Sequence, residues 1–296
     1  MHSLPPELWN RSFGVSEALE LGITAAQLRS PRLAHPFWGI RAESERTGLD
    51  LIRAFAPRMP PRAFYYGTTA ALLHGLPLPP RLKRKVLPLH IAVMAGQRRV
   101  VARGVTAHHV TIDPDDIETI DGLRVTTVER TWCDLAATGV TLAELVAAGD
   151  AALWRRDPKT HLRRIRAATA RYEGRRGARL IRDAVPLLTD RSDSPPESEL
   201  RVAFIQAGLP RPLPNYQIRH LGRLVATPDL TWPERRVLVE YEGEHHLTDA
   251  RQWAYDIERY ARLTELGWTV IRATAADYRD PAKLIARVAR ALTTAH

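Results

Sequence analysis

The chain has 296 residues, with 45% hydrophobic and 26% charged side chains. That composition supports globular domains with cores of useful size and argues against global disorder. A single cysteine, Cys133, excludes a disulfide framework and any cysteine-cluster zinc site. The net charge of +10 is unusually one-sided, because arginine supplies 39 of the 43 basic residues. Arginine's planar fork suits phosphate, although a GC-rich genome enriches arginine whatever the function. No basic start followed by an apolar run marks a signal peptide, and no apolar run is long enough for a bilayer. A cytoplasmic protein is the expectation, with no membrane partner.

In chain order, residues 13–30 read as helix, turn, helix. Ser16 can cap the first helix, Gly22 can close it, and Thr24 can cap the second. Residues 36–42 then read as a short extended segment. This outline is winged-helix-like and compatible with a helix in the DNA major groove. By pattern alone, a small helical hairpin on a larger domain is the plainer reading.

Residues 51–190 read as a mixed α/β part. A helix is expected around 68–74, ended by Gly75 and Pro77. Strands are expected over 87–94, 103–110 and 122–130, and a helix over 141–154. His74, His90, His108 and His109 lack metal-ligand spacing and read as structural or surface histidines.

The charge concentrates in residues 155–182, which hold 11 basic and two acidic residues. Apolar positions at helical spacing predict two amphipathic helices broken at Gly174 and Gly177. Arg163, Arg164, Arg166, Arg175, Arg176 and Arg179 fall outside the apolar stripe. Such a face attracts polyanions without sequence preference, and a merely solvated helix face fits it too. Residues 187–200, rich in Asp, Ser and Pro, read as a linker.

Residues 191–296 read α-β-β-α-β-α. Ser194 at the cap, Pro195 at the first helical position and Glu197 three residues on form a capping box, a structural reason for Glu197. Strands over 217–232 and 235–243 read as a hairpin. The two-residue period puts Glu240 and Glu242 on one face with Leu238, and Val237, Val239 and Tyr241 on the other. Asp229 lies near the end of the first strand, within approach of the second. Carboxylates crowded at one sheet end invite a divalent cation such as Mg2+ or Mn2+; solvated hairpin carboxylates are the alternative. A helix over 249–265, a strand over 266–278 and a helix over 281–292 complete the unit.

Several of these pieces together, SPPESELR (194–201), PDLTWPERRVLVEYEGEHH (228–246), Asp256 and Arg259 of WAYDIERY, and LGWTVIRATAADY (266–278), resemble the PD-(D/E)XK nuclease superfamily. They resemble most closely the endonuclease-like domains of "domain of unknown function 559", related to very-short-patch-repair endonucleases. The resemblance implies a restriction-endonuclease-like domain, magnesium held by Asp229 and Glu240, and Glu197 as the first-helix acid. The lysine of the generic motif falls on Glu242, where the related domains usually carry aspartate. Another group must then activate water; His246 is the first candidate and His245 the second. Arg259 and Arg272 would orient phosphate. The segment 13–42, GTTAALLHGLPLP and GLRVTTVERTWCDLA (122–136) resemble AbiEi-type antitoxin and regulator proteins, which implies DNA binding and a cognate toxin or regulatory partner. The expected architecture is therefore a multi-domain α/β chain. It has a winged-helix-like segment (1–50), a mixed middle part ending in basic helices (51–190) and an endonuclease-like domain (191–296). The oligomeric state stays open.

Overall fold

The computed structural model describes residues 4–243 and 250–294, without the side chains of residues 250–257. The fold is mixed α/β with several sheets. Two compact units part between Gly139 and Val140.

The first unit opens with β1 (Phe13–Gly14), α1 (Val15–Glu20) and α2 (Ala25–Leu28), then β2 (Ile40–Arg41), which pairs antiparallel with β1. The cap of α1 is Gly14 rather than the expected Ser16, which lies inside the first turn. Glu17 takes the Gly14 N–H at 3.3 Å, so the helix starts two residues earlier. Gly22 is left-handed (φ 84°) as expected. Thr24 caps α2 in a reciprocal box with Gln27. Leu8, Phe13, Ala18, Ile23 and Leu28 form a small core beneath these elements.

Next come α3 (Gly48–Ala54), β3 (Phe64–Tyr65), α4 (Gly67–Leu73), α5 (Pro80–Lys83), β4 (Leu89–Met94) and β5 (Val105–Val110). The unit ends with β6 (Ile117–Ile120), β7 (Leu123–Thr126) and α6 (Val128–Leu135). The strands form one sheet in the order β5-β4-β3-β7-β6, with its core on Ile52, Phe55, Tyr65, Ile91 and Val125. The expected strand over 122–130 stops at Thr126, because Thr127 caps α6 through the Arg130 N–H.

The second unit begins with α7 (Leu142–Leu153), capped by Thr141 with Glu144. The basic stretch forms α8 (Leu162–Arg171) and α9 (Ala178–Ala184). They break as expected where Gly174 and Gly177 are left-handed (φ 74° and 91°). Then follow α10 (Pro195–Gln206), β8 (Leu213–Pro214), β9 (Ile218–His220), β10 (Arg223–Ala226), β11 (Leu230–Trp232) and β12 (Val237–Glu242). The chain closes with α11 (Ala250–Glu265), β13 (Thr269–Thr274), α12 (Ala275–Arg279) and α13 (Ala282–Thr294). The four-stranded sheet has the order β13-β12-β11-β8, with β12 and β13 parallel.

Residues 187–200 do not separate two units, since α7 packs along α10. The reason is a buried polar knot. Asp150 on α7 takes the Arg201 guanidinium at 2.6 Å, the Ser198 hydroxyl at 2.7 Å and the Thr189 N–H at 2.8 Å. A buried carboxylate needs such partners, and they come from α10 and the 187–194 segment. The strand expected over 217–232 is also divided. Leu221 and Gly222 are both left-handed (φ 48° and 78°), the geometry of a tight hairpin turn joining β9 to β10. The last expected strand ends at Thr274, which caps α12 with Asp277.

The period-two reading of β12 holds. Val237, Val239 and Tyr241 pack with Leu200, Phe204, Leu284 and Val288 of α10 and α13. Leu238, on the other face, packs with Ile218, Ala226 and Leu263 beside α11.

Among the described residues no helix is long and apolar enough to cross a membrane.

Candidate functional site

The β11–β12 hairpin sets the site. Leu230 pairs with Val239, so Asp229 lies one position beyond, beside Glu240. Asp229 Oδ2 accepts the Tyr241 N–H at 2.6 Å. This bond fixes the carboxyl at the end of the hairpin. Parallel pairing of β12 with β13 puts Glu240 beside Arg272 and Glu242 beside Thr274.

Glu197 enters from the first turn of α10 and is 7% exposed. Ser194 caps the helix through the Glu197 N–H at 3.4 Å. The Glu197 carboxylate does not close the expected box onto the cap residue. It accepts the Asp193 N–H, one residue before the cap, at 2.9 Å, and the Asn215 amide at 3.3 Å. Burial pushes its carboxyl above the ordinary glutamate range.

Asp229 carries the strongest electrostatic signal. Burial first, and then the nearby Glu197 carboxylate, push its pKa up to about 7; Glu240 adds to the rise. The Tyr241 N–H and Arg259 pull the other way but do not prevail. Like charges held near one buried point raise the last carboxyl to ionise.

Glu240 is 7% exposed and is gripped by Arg259 of α11. Nη1 bonds Oε1 at 2.6 Å and Nη2 bonds Oε2 at 3.0 Å. The Tyr260 hydroxyl donates to Oε2 at 2.5 Å. Glu242 is half-buried and holds Arg272 through both of its oxygens. Arg259 and Arg272 were expected to face phosphate. Each instead binds a carboxylate of the site, because a carboxylate withdrawn from water needs a counter-charge.

Thus Asp229, Glu240 and Glu242 lie at one end of the β11–β12 hairpin, and Glu197 of α10 stands near Asp229. His245 and His246 lie outside the described residues, as does the side chain of Asp256. The residues the sequence reading missed are Tyr260 and Asn215. Tyr260 ends the WAYDIERY segment directly after Arg259 and is passed over there, and Asn215 becomes relevant only through the left-handed turn that aims it at Glu197.

Among the described residues no group of three His, Cys, Asp or Glu side chains converges tightly enough to hold a metal ion. Asp229 and Glu240 remain as a carboxylate pair. Asp229 Oδ1 has no hydrogen bond among the described residues, and Glu240 Oε1 has one and retains a lone pair. The donors are all oxygen, which suits Mg2+ or Mn2+ completed by water.

No protein-family model matches the chain. Two Mycobacterium tuberculosis proteins, named as uncharacterized proteins Rv2248 and MT2308, are each 37% identical to it over 132 residues. The match covers 44% of this chain and 49% of theirs, so the chain spans about half the length of the curated relatives it matches. The crystal structure of the RV2827C protein from Mycobacterium tuberculosis is similar over 64% of this chain and 74% of that one. Its identity is 16% and its TM-score 0.40, a likeness too slight to assign a fold.

The arginine face belongs to the same unit as the carboxylates. Ile165 and Ala168 of α8 and Ile181 and Ala184 of α9 are buried. Arg163, Arg164, Arg166, Arg176 and Arg179 are exposed, while Arg175 is half-buried with its guanidinium over the Tyr172 ring at 5.5 Å.

The histidines of the first unit divide. His74 is buried and bonds the Thr126 carbonyl at 2.7 Å, a structural role as expected. His109 bonds the Gln97 carbonyl at 3.0 Å. His90 and His108, which nothing in their spacing links, meet across β4 and β5 with ring nitrogens 3.0 Å apart. Burial lowers both pKa values, that of His108 to about 4. Both rings are therefore neutral near pH 7, and one shared hydrogen bond accounts for them.

Proposed function

We propose that the second unit is a magnesium- or manganese-dependent endonuclease that hydrolyses DNA phosphodiester bonds. The observation that carries this reading is the placement of the Asp229 carboxyl at the hairpin end beside Glu240, with Oδ1 unbonded among the described residues; burial, and then Glu197, push it up to about 7. Carboxylates that outnumber guanidinia among the described side chains are the electrostatic complement of a divalent cation. In this reading the architecture is that of a restriction-endonuclease-like domain, with the 13–42 segment as a winged-helix-like DNA-binding part.

Asp229 and Glu240 would hold the cation. When bound, it polarises a phosphate and lowers the pKa of water. Glu197 and Glu242 orient the attacking water, and His246 takes its proton. Arg259 and Arg272 keep Glu240 and Glu242 in place. The α8–α9 arginines hold the phosphate backbone, which supplies affinity without sequence preference. Sequence preference would come from α2, which is a single turn, and its flanks.

A second reading is favoured by one specific observation: Arg259 and Tyr260 already occupy both oxygens of Glu240. A guanidinium can replace a cation's charge without its chemistry. The protein would then be an AbiEi antitoxin-like DNA-binding regulator with an inert nuclease fold and a toxin or regulatory partner.

One experiment separates the two. Supercoiled and single-stranded DNA are incubated with the protein in magnesium, manganese or EDTA, beside Asp229→Ala and Glu240→Ala, with gel shifts in EDTA. The nuclease reading expects metal-dependent cutting that falls about 1000-fold or more in both variants, with binding retained. Binding without cutting under either metal assigns the protein to the regulator reading. In both, Arg163→Ala/Arg164→Ala/Arg166→Ala should flatten the salt dependence of duplex binding by up to about 3 in log–log slope.

A further inference from the structure

We propose that a cleft in the first unit, built around Trp38, binds an unpaired nucleobase together with its phosphate, the base stacking on the indole. This site is independent of the carboxylate cluster and of its proposed chemistry.

The cleft has a volume of about 1220 Å³ and lies between the start of α1, the 35–41 segment, Arg58 and Arg103. That exceeds an ordinary small-molecule pocket and accommodates a nucleotide with a neighbouring phosphate. A second hollow of about 340 Å³ adjoins Trp38, Arg58 and Arg103 on the Phe55 and Val101 side. A strand therefore has room on either side of a stacked base.

Trp38 is 80% exposed, although tryptophan is a largely buried residue type. The ring is nonetheless held in place. The Arg58 guanidinium lies 4.7 Å from the ring centroid, and Arg58 Nη1 donates to the Trp38 carbonyl at 2.6 Å. Gly39 makes this approach possible: it is left-handed (φ 76°), and a Cβ there would sit 3.2 Å from Arg58 Nη1. Next to it, buried Phe37 packs edge-on against Phe55 at 5.1 Å and ties the segment to the core. A fixed aromatic plane open to solvent binds a base with little loss of side-chain freedom.

The charges around the plane suit the phosphate. Arg103 is exposed and has no hydrogen bond or ion pair among the described residues. Arg41 is braced by the Leu28 and Ile40 carbonyls at 2.6 and 2.9 Å. Of the two acids lining the cleft, Glu17 is already paired with Arg11, which leaves Glu20 against Arg41, Arg58 and Arg103. Guanidinium and aromatic planes side by side recognise unpaired bases and phosphate. A duplex offers no free base face to such a plane.

The test uses the full chain in EDTA, where no metal-dependent reaction intervenes, and reads the anisotropy of a labelled 12-nucleotide thymidine strand. The parallel probes are an abasic strand of equal length, a duplex, and thymidine monophosphate as competitor. Trp38→Ala should weaken strand binding about tenfold, the scale of losing one base–aromatic stack, and leave the abasic strand unchanged. Trp38→Phe should restore binding to within about threefold, and Arg103→Ala should reduce the salt slope by about 0.7. Displacement of the strand by the monophosphate at micromolar concentration identifies a free nucleotide as the ligand; no displacement identifies single-stranded nucleic acid. The proposal is overturned if the wild-type chain binds neither strand nor nucleotide. It is equally overturned if Trp38→Ala, melting like wild type, leaves strand binding unchanged or weakens abasic and duplex binding as much. DNA cleavage by the second unit does not enter this readout, so the two proposals fail separately.

Discussion

Two carboxylate–arginine pairs lie inside the second unit, Asp150–Arg201 and Glu240–Arg259. Both have short bonds and both carboxylates accept three donors. Around Asp150 the bonded guanidinium is that of Arg201, the pair sealed at 1% and 0% side-chain exposure, and Arg211 adds a second positive charge nearby. Around Asp229 and Glu240, among the described side chains, stand the carboxylates of Glu197, Asp229, Glu240 and Glu242 and the guanidinia of Arg259 and Arg272. The first arrangement is electrically closed and joins α7 to α10. In the second, carboxylates outnumber guanidinia among the described side chains, and burial first, then the neighbouring Glu197 and Glu240 carboxylates, raise the Asp229 carboxyl to about 7. The lesson is that an ion pair says little about function until its surroundings are included in the charge balance.

The largest effect should come from opening the sealed pair. Arg201→Ala leaves Asp150 buried without its counter-charge, and urea unfolding of the second unit should lose about 3–5 kcal/mol. Asp150→Leu with Arg201→Met should recover most of that loss; a single variant costing under about 1 kcal/mol would break the comparison. Arg259→Ala should cost less, about 1–2 kcal/mol without divalent metal, because its pair is partly solvated. Magnesium should then raise the variant's melting temperature more than the wild type's, an increment that vanishes when Asp229→Ala is added. An equal magnesium response in all three proteins would remove the cation-deficit argument.

The smallest effect is a matter of pH. The Asp229 carboxyl titrates near 7 in the folded chain and near 3.9 when unfolded, so the folded state binds the extra proton between those values. Stability is lost as pH rises through 7, where folding holds a carboxylate that its surroundings disfavour. Asp229→Asn removes that penalty. It should stabilise the unit by about 1–2 kcal/mol at pH 8, since solvent at this half-buried group screens part of the shift. The gain should fade towards pH 4. A gain that is constant with pH would mean that Asp229 does not titrate as argued.

Much of the second unit was legible before any coordinates. Alternation along β12 sorted Val237, Val239 and Tyr241 from Leu238 and Glu240, because a strand's period of two depends only on local geometry. The glycines breaking α8 from α9 were legible for a similar reason: Gly174 and Gly177 adopt positive φ without a Cβ clash. Local capping misled twice. Ser16 lies inside its helix while Gly14 caps it, and Glu197 reaches past the cap residue to Asp193. Several side chains can satisfy the same first-turn N–H groups, and packing chooses among them. The division at Leu221–Gly222 was missed because a leucine rarely takes left-handed φ.

The boundary near residue 190 failed for a deeper reason. Asp, Ser and Pro between 187 and 200 look like a linker by composition, yet Ser192, Ser194 and Ser198 are hydrogen-bonded and Asp193 pairs with Arg156. Polar residues mark a loop only where water is their partner.

By itself, the sequence determined most element types, the two faces of β12, the arginine-rich surface and the clustering of Asp229, Glu240 and Glu242 at one hairpin. Each of these follows from local periodicity or from charge carried along the chain. Only the tertiary structure decided that α7 belongs with α10, that Arg259 and Arg272 face carboxylates, that His90 meets His108, and that Trp38 stands open above Arg58. Those are contacts between residues 18 to 51 positions apart, and no local rule of backbone geometry reaches that far.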